Sequence, residues 1–204
     1  MASPNLVDKI GNRLQILKAC MVSTRNFPFF LFPMILWLPV GPVQADFQLG
    51  QQAFNQHDYP IALKEWQPLA EQGDARAQYK LGGLYHDGHW VDEDYTEAVR
   101  WFRLAAERGL PQSQFNLGFM YATGRGVPRD PTEAVRRYRL AAEWDLPQAQ
   151  FNLGFMYATG QGVPQDQTEA VRWYRLAGEQ GLARAQFKLS VMYFRGHGVK
   201  KNHV

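Results

Sequence analysis

Few residues in this chain have types and spacing suited to chemistry. His86-Asp87-Gly88-His89 puts two imidazoles and a carboxylate in one short stretch, and those groups suit zinc. No third and fourth ligand follows at a fixed spacing, so the stretch reads as a helix end running into a variable loop, and no metal is expected. Gly124-Arg125-Gly126 has the glycines of a phosphate cradle, but its recurrence along the chain marks it as a structural turn. Cys20 is the one thiol. No Gly-x-Ser-x-Gly elbow, Walker loop or Ser-x-x-Lys occurs, so nucleophilic and phosphoryl-transfer chemistry lack a motif to build on. The reading is a non-enzyme without cofactors.

What the chain does hold is repetition. Pro111 to Leu146 and Pro147 to Leu182 are two 36-residue copies that differ at only 8 positions. The period runs outward in both directions: Gly82, Gly118 and Gly154 are spaced by 36, and Ser190 stands one step further. A fixed period of this size is one supersecondary unit, stacked. Each unit splits into two helical patterns. Phe115, Gly118 and Ala122, flanked by Leu117 and Tyr121, mark the first. A glycine inside a helix costs about 1 kcal/mol, so its recurrence predicts a close approach of two helices. Gly124 to Pro128 break the pattern. Asp130 then caps the second helix, with Glu133 placed to reach back to it, and Ala134, Tyr138 and Ala141 mark one face.

Leu117-Gly118, Met120-Tyr121, Gly124-x-Gly126-Val127, Asp130, Ala134, Tyr138 and Ala141-Ala142, with their copies one period away, resemble the Sel-one-like repeat (SLR) family, a relative of the tetratricopeptide repeats. The resemblance covers Asp46 to Val204. It implies an all-α fold, a right-handed α-α superhelical solenoid of antiparallel helix pairs, and a role as an adaptor that assembles other proteins. Some secreted members carry a disulfide in each repeat, and this chain departs from them. Penicillin-binding or penicillin-hydrolysing activity has been attributed to cysteine-rich relatives and is the enzyme alternative. A self-associating structural envelope protein is a third.

Residues 27–40 form an apolar run, too short for the roughly 20 residues that span a bilayer and interrupted by Pro28, Pro33 and Pro39. Val43-Gln44-Ala45 follows, as a cleaved signal peptide requires. Residues 1–45 are therefore expected to be a leader with its true start at Met21, removed before Asp46. The mature chain is then periplasmic or secreted, without a membrane span. The leader holds four bases and Asp8; removing them from totals of 22 bases and 19 acids leaves 18 of each. A neutral solenoid gives no electrostatic footprint for nucleic acid.

The expected units are a tetratricopeptide-like cap at 46–74, full repeats at 75–110, 111–146 and 147–182, and a half repeat at 183–204. The short turn Gln56-His57-Asp58 replaces the glycine loop in the cap. With no second helix after 183–204, the face around Phe187, Leu189, Val191 and Met192 is expected to be partly bare and to support weak homodimerisation or docking. Asp145 stands where Gly109 and Gly181 stand elsewhere, and Gly178 replaces an alanine; neither has an evident function, and reverting each should stabilise.

The resemblance also places the first helices on the concave face. Six residues before the packing glycine come Arg76, Gln112, Gln148 and Arg184; two before it come Lys80, Asn116, Asn152 and Lys188. Each pair is i, i+4 on one helix face. One after it, Phe119 and Phe155 give an apolar ridge. A row of donors beside such a ridge suits an extended peptide, with carboxylates drawn to the cationic ends. The expected partner is thus a protein or peptide held in the groove.

Overall fold

The structure, a computed structural model, describes residues 45–88 and 93–198. The expected leader with Cys20 and Met21, and His89, Trp90 and Asn202, lie outside the described residues. The chain divides into two units, Met1–Pro42 and Val43–Val204, and every helix described here belongs to the second.

Among the described residues there are nine helices and no strand. They are α1 Phe47–Asn55, α2 Tyr59–Glu71, α3 Ala75–Asp87, α4 Tyr95–Glu107, α5 Pro111–Thr123, α6 Pro131–Ala142, α7 Pro147–Thr159, α8 Gln167–Glu179 and α9 Ala183–Arg195. Odd-numbered helices are the first of each unit and even-numbered ones the second. Each packs chiefly on its neighbours in sequence, as a solenoid of repeats requires.

The helix starts follow the sequence closely. Asp94, Asp130 and Asp166 accept from the backbone N–H two and three residues on, which satisfies donors left open in the first turn. The expected reciprocal contact does not form. The Asp130 N–H donates to the Tyr121 carbonyl, and the Glu133 carboxylate turns to Arg136 and Arg137, each at 2.6 Å. Two guanidinium groups outcompete one backbone amide for a carboxylate.

The packing glycines are explained by what covers them. A Cβ at Gly118 would lie 2.6 Å from the Tyr138 ring, and one at Gly82 would lie 2.6 Å from Phe102. Gly50 sits likewise under Trp66, so the cap keeps the rule although its turn is shorter. Ser190 has no such cover: it is exposed, and its Oγ donates to the Phe187 carbonyl at 2.8 Å. The second loop glycines do a different job. A Cβ at Gly126, Gly162 or Gly198 would strike the main-chain carbonyl of Tyr95, Pro131 or Gln167, the first residue of the preceding unit's second helix. One backbone rests on another there.

The core is a row of clusters, each joining the second helix of one unit to the first helix of the next. Ala98, Val99 and Phe102 of α4 pack with Leu117 and Met120 of α5; Ala134 and Tyr138 of α6 pack with Leu153 and Met156 of α7. The row ends with Tyr174 of α8 on Met192 of α9. Met192 is thus buried, contrary to its expected place on a bare face. Leu189 and Val191 are half-buried, and the most exposed large apolar side chains of α9 are Phe187 (65% exposed) and Phe194 (85%).

Two departures from the repeat have structural readings. Asp145 adopts φ 56°, the left-handed turn that glycine fills elsewhere, and its carboxylate accepts from the Gln150 side chain at 3.3 Å. The sequence shows no evident function for Asp145, and that bond is a structural role for it. A Cβ at Gly178 would come 3.3 Å from Gln186 Cγ, so a methyl fits once that exposed side chain shifts.

Candidate functional site

A groove of about 540 Å³ runs across the first helices of five successive units. Phe54 of α1, Tyr79, Lys80 and His86 of α3, Phe115, Asn116 and Phe119 of α5, Asn152 of α7 and Arg184 of α9 line it. Of the ten residues the sequence nominates, the structure brings together Lys80, Asn116, Phe119, Asn152 and Arg184. Arg76 instead faces a neighbouring hollow with Asp46 and Asp74; it pairs with Asp74 at 3.0 Å and stacks on Phe47 at 4.5 Å. Gln112, Gln148, Phe155 and Lys188 are exposed and do not line the groove. Each position six before the glycine is the second residue of its helix, at the rim. Arg184, longer than Gln112 and Gln148 and without an aspartate like the one that holds Arg76, reaches in, over the Phe151 ring at 4.4 Å.

The position two before the glycine rests against the large aromatic of the preceding unit, and that neighbour decides its state. Lys80 is half-buried, with Nζ 5.5 Å from the Phe54 ring centroid and 5.7 Å from that of Trp66. Burial pulls its pKa below the ordinary lysine value, and no carboxylate among the described residues forms an ion pair with it. The Asn152 side chain lies beside the Tyr138 hydroxyl, whose pKa burial pushes up to about 12 against the opposing pull of Asn152. Asn116 has Phe102 in place of the tyrosine. Phenylalanine offers no hydroxyl, so the Asn116 amide faces the groove without a side-chain partner among the described residues.

Phe119 is half-buried, 6.3 Å from the His86 ring and 5.6 Å below the Arg125 guanidinium. His86 Nδ1 is 2.6 Å from the Asp87 carboxylate. Among the described residues no three His, Cys, Asp or Glu side chains gather closely enough to hold a metal. No helix among them is long and apolar enough to cross a membrane. The groove presents amides, aromatic faces, the His86 ring, the Asp87 carboxylate and two cations, Lys80 and Arg184.

The sequence also held residues that went unread. Four before each packing position stand Gln78, Gln114, Gln150 and Gln186. Their amides donate to the carbonyls of Ala70, Ala106, Ala142 and Gly178, at 3.0, 2.9, 3.4 and 2.9 Å. Each adds a second donor to a carbonyl at the end of the preceding unit's second helix, which already accepts from the backbone N–H three residues on. Arg103, Arg139 and Arg175 likewise donate to Tyr121, Tyr157 and Tyr193, at 3.4, 2.9 and 2.8 Å. The recurrence of glutamine and tyrosine at fixed positions was the available signal.

Helix pairs stacked by one repeating set of contacts, with a groove along their first helices, define an α-solenoid repeat protein. The Sel1 repeat model matches residues 75–110, 111–143, 147–182 and 183–204. The chain belongs to the Sel1 repeat family. Among solved structures it is similar to c5321, a protective antigen present in uropathogenic Escherichia coli strains and displaying an SLR fold, with 41% identity over 76% of this chain and 34% of that one, TM-score 0.74. It is also similar to a Sel1 repeat protein from Oxalobacter formigenes, with 34% identity over 77% of this chain and 65% of that one, TM-score 0.73. The chain therefore spans about a third of the first relative's length and 65% of the second's. No curated protein matches it.

Proposed function

We propose that this chain is an exported protein–protein interaction scaffold that holds an extended segment of a partner along its groove. The observation that carries this reading is the groove itself: first helices from five successive units converge on one hollow of about 540 Å³. An extended strand advances about 3.3 Å per residue with its carbonyls spaced along it, and the free Asn116 amide has both a donor and an acceptor for such a backbone. Phe115 and Phe119 offer apolar contact. Lys80, half-buried and without an anionic partner among the described residues, favours a ligand carboxylate, since a desolvated ammonium gains most from a counter-charge.

The test is a pull-down from envelope extract, followed by affinity measurement of the captured partner for wild type and for Asn116→Ala combined with Phe119→Ala. A fall of roughly tenfold or more in the folded variant supports the groove; unchanged affinity moves the contact to the convex face or the loops. Asn152→Ala is a poorer probe, because Asn152 also interacts with Tyr138. Sustained nitrocefin turnover by the pure chain would overturn the scaffold reading in favour of a penicillin-hydrolysing enzyme.

A second contact surface is favoured by Phe187 and Phe194 on α9, exposed by 65% and 85%. They suit weak homodimerisation, which Phe194→Lys would abolish in sedimentation.

A further inference from the structure

Glu65 on α2 is the one acidic side chain among the described residues that is buried, at 8% exposure. A buried carboxylate is costly unless it is paired and hydrogen-bonded. No Lys, Arg or His side chain among the described residues pairs with it. Its hydrogen-bond partner is a main-chain nitrogen: Asp46 N lies 2.8 Å from Glu65 Oε2. Asp46 is also the residue before which the leader is expected to be cut.

We infer that Glu65 is the seat for a free α-amino group at Asp46, created by proteolytic processing at the Ala45–Asp46 bond. This rests on the export reading above. Hydrolysis of that bond releases the leader with a carboxylate at Ala45 and leaves the Asp46 nitrogen as a primary amine. The amine takes up a proton at neutral pH. The neutral amide that donates to Glu65 becomes an ammonium, and a buried lone charge becomes an ion pair. Both atoms are already in place. Asp46 is fixed as the cap of α1, its carboxylate accepting from Gln48 N at 2.8 Å and Leu49 N at 3.4 Å. Glu65 is fixed by its neighbour Trp66, fully buried, whose indole N–H donates to the Phe47 carbonyl at 3.2 Å. The other charged groups lining the adjoining hollow are Asp74 and Arg76, and they satisfy each other at 3.0 Å. Processing thereby tightens the first repeat of the described residues.

The experiment starts from the full chain, expressed with its leader and recovered from the envelope fraction. Intact mass gives the N-terminus. Urea midpoints are then measured from about pH 6 to about pH 10 for wild type, for Glu65→Gln, and for a form that retains Ala45 and so moves the amine by one residue. The α-amino group titrates ordinarily near about 8, and pairing with Glu65 raises that value in the folded state. Its stabilisation is full below the ordinary value and lost as pH rises through the folded one. Wild type should therefore begin at Asp46 and lose midpoint across the alkaline range. Glu65→Gln keeps the acceptor without the charge, and should share only the decline common to all three forms, as should the Ala45 form. A mass that retains residues 21–45 would overturn the export reading and this proposal with it. An Asp46 N-terminus with the same alkaline limb in all three forms would overturn the ion pair and leave export standing.

Discussion

Ser113→Ala should stabilise the protein, and the size of the effect can be worked from the repeat. Ser113 on α5 is 0% exposed, and Ala77, Ala149 and Ala185 hold the same place in the other units at 0%. The Ser113 Oγ is buried with no hydrogen-bond partner among the described residues. Burying an unsatisfied hydroxyl costs about 1–3 kcal/mol, and alanine is the better helix former by about 0.5 kcal/mol. Removing one oxygen leaves little void, because three equivalent sites already close around a methyl. The expected gain is about 1.5–3.5 kcal/mol. With a urea slope of about 1–3 kcal/mol per molar, the midpoint should rise by roughly 1 M at unchanged slope, as followed by far-UV circular dichroism. Ala149→Ser is the mirror experiment and should lose a similar amount. If Ser113→Ala leaves the midpoint unchanged or lowers it, the hydroxyl has a partner and the reasoning is wrong.

Gly118→Ala should destabilise by about 1–3 kcal/mol, since its methyl would lie 2.6 Å from the Tyr138 ring; Ser190→Ala, at an exposed site, should shift the melt by less than about 0.5 kcal/mol. For Asp145→Gly, relief of the left-handed backbone is offset by loss of the bond from Gln150 at 3.3 Å, so the midpoint should move by less than about 0.5 kcal/mol; a gain above about 1 kcal/mol would show that the bond contributes nothing. Glu133→Gln should cost about 1 kcal/mol at neutral pH. The hydrogen bond from Arg136, with that from Arg137 and against some burial, holds the Glu133 pKa below its ordinary 4.5. A carboxylate with a lowered folded pKa stabilises fully above its unfolded value and loses that contribution as pH falls through the folded one. The gap between Glu133→Gln and wild type should therefore close below about pH 4 in acid titrations of the melt.

The parts of the fold legible in the sequence were those that one helix can dictate. The Asp130 cap, the Gly124 turn and the packing face of Ala134, Tyr138 and Ala141 all follow from local spacing. Gly118 was legible as a close approach because a mid-helix glycine is costly without one. What touches what between units was less visible. Gln78 and Gln114 look like ordinary polar residues until the preceding helix end is in place to receive them. Periodicity also treats Asn116 and Asn152 as equals, since their own helices differ only at Ser113 and Ala149. They differ because Phe102 and Tyr138, fourteen residues earlier, differ by one hydroxyl. Likewise Arg76 and Arg184 share a helix position, but Asp74 precedes Arg76 where Leu182 precedes Arg184, and the aspartate draws Arg76 out of the groove.

The contact of Gly126, Gly162 and Gly198 with the main chain of the preceding unit separates shape from specificity. Because backbone meets backbone at those points, the step from one unit to the next is a property of the chain's spine and works as a ruler. Residues such as Asn116 and Phe119 stand on that ruler without setting its graduations. On the scaffold reading proposed above, exchanging such residues would change the ligand preference while the frame stays in place, and duplicating a unit would lengthen the frame by the same increment. A change at one of these three glycines would do the reverse, bending the register of every reading position beyond it while leaving each one chemically intact.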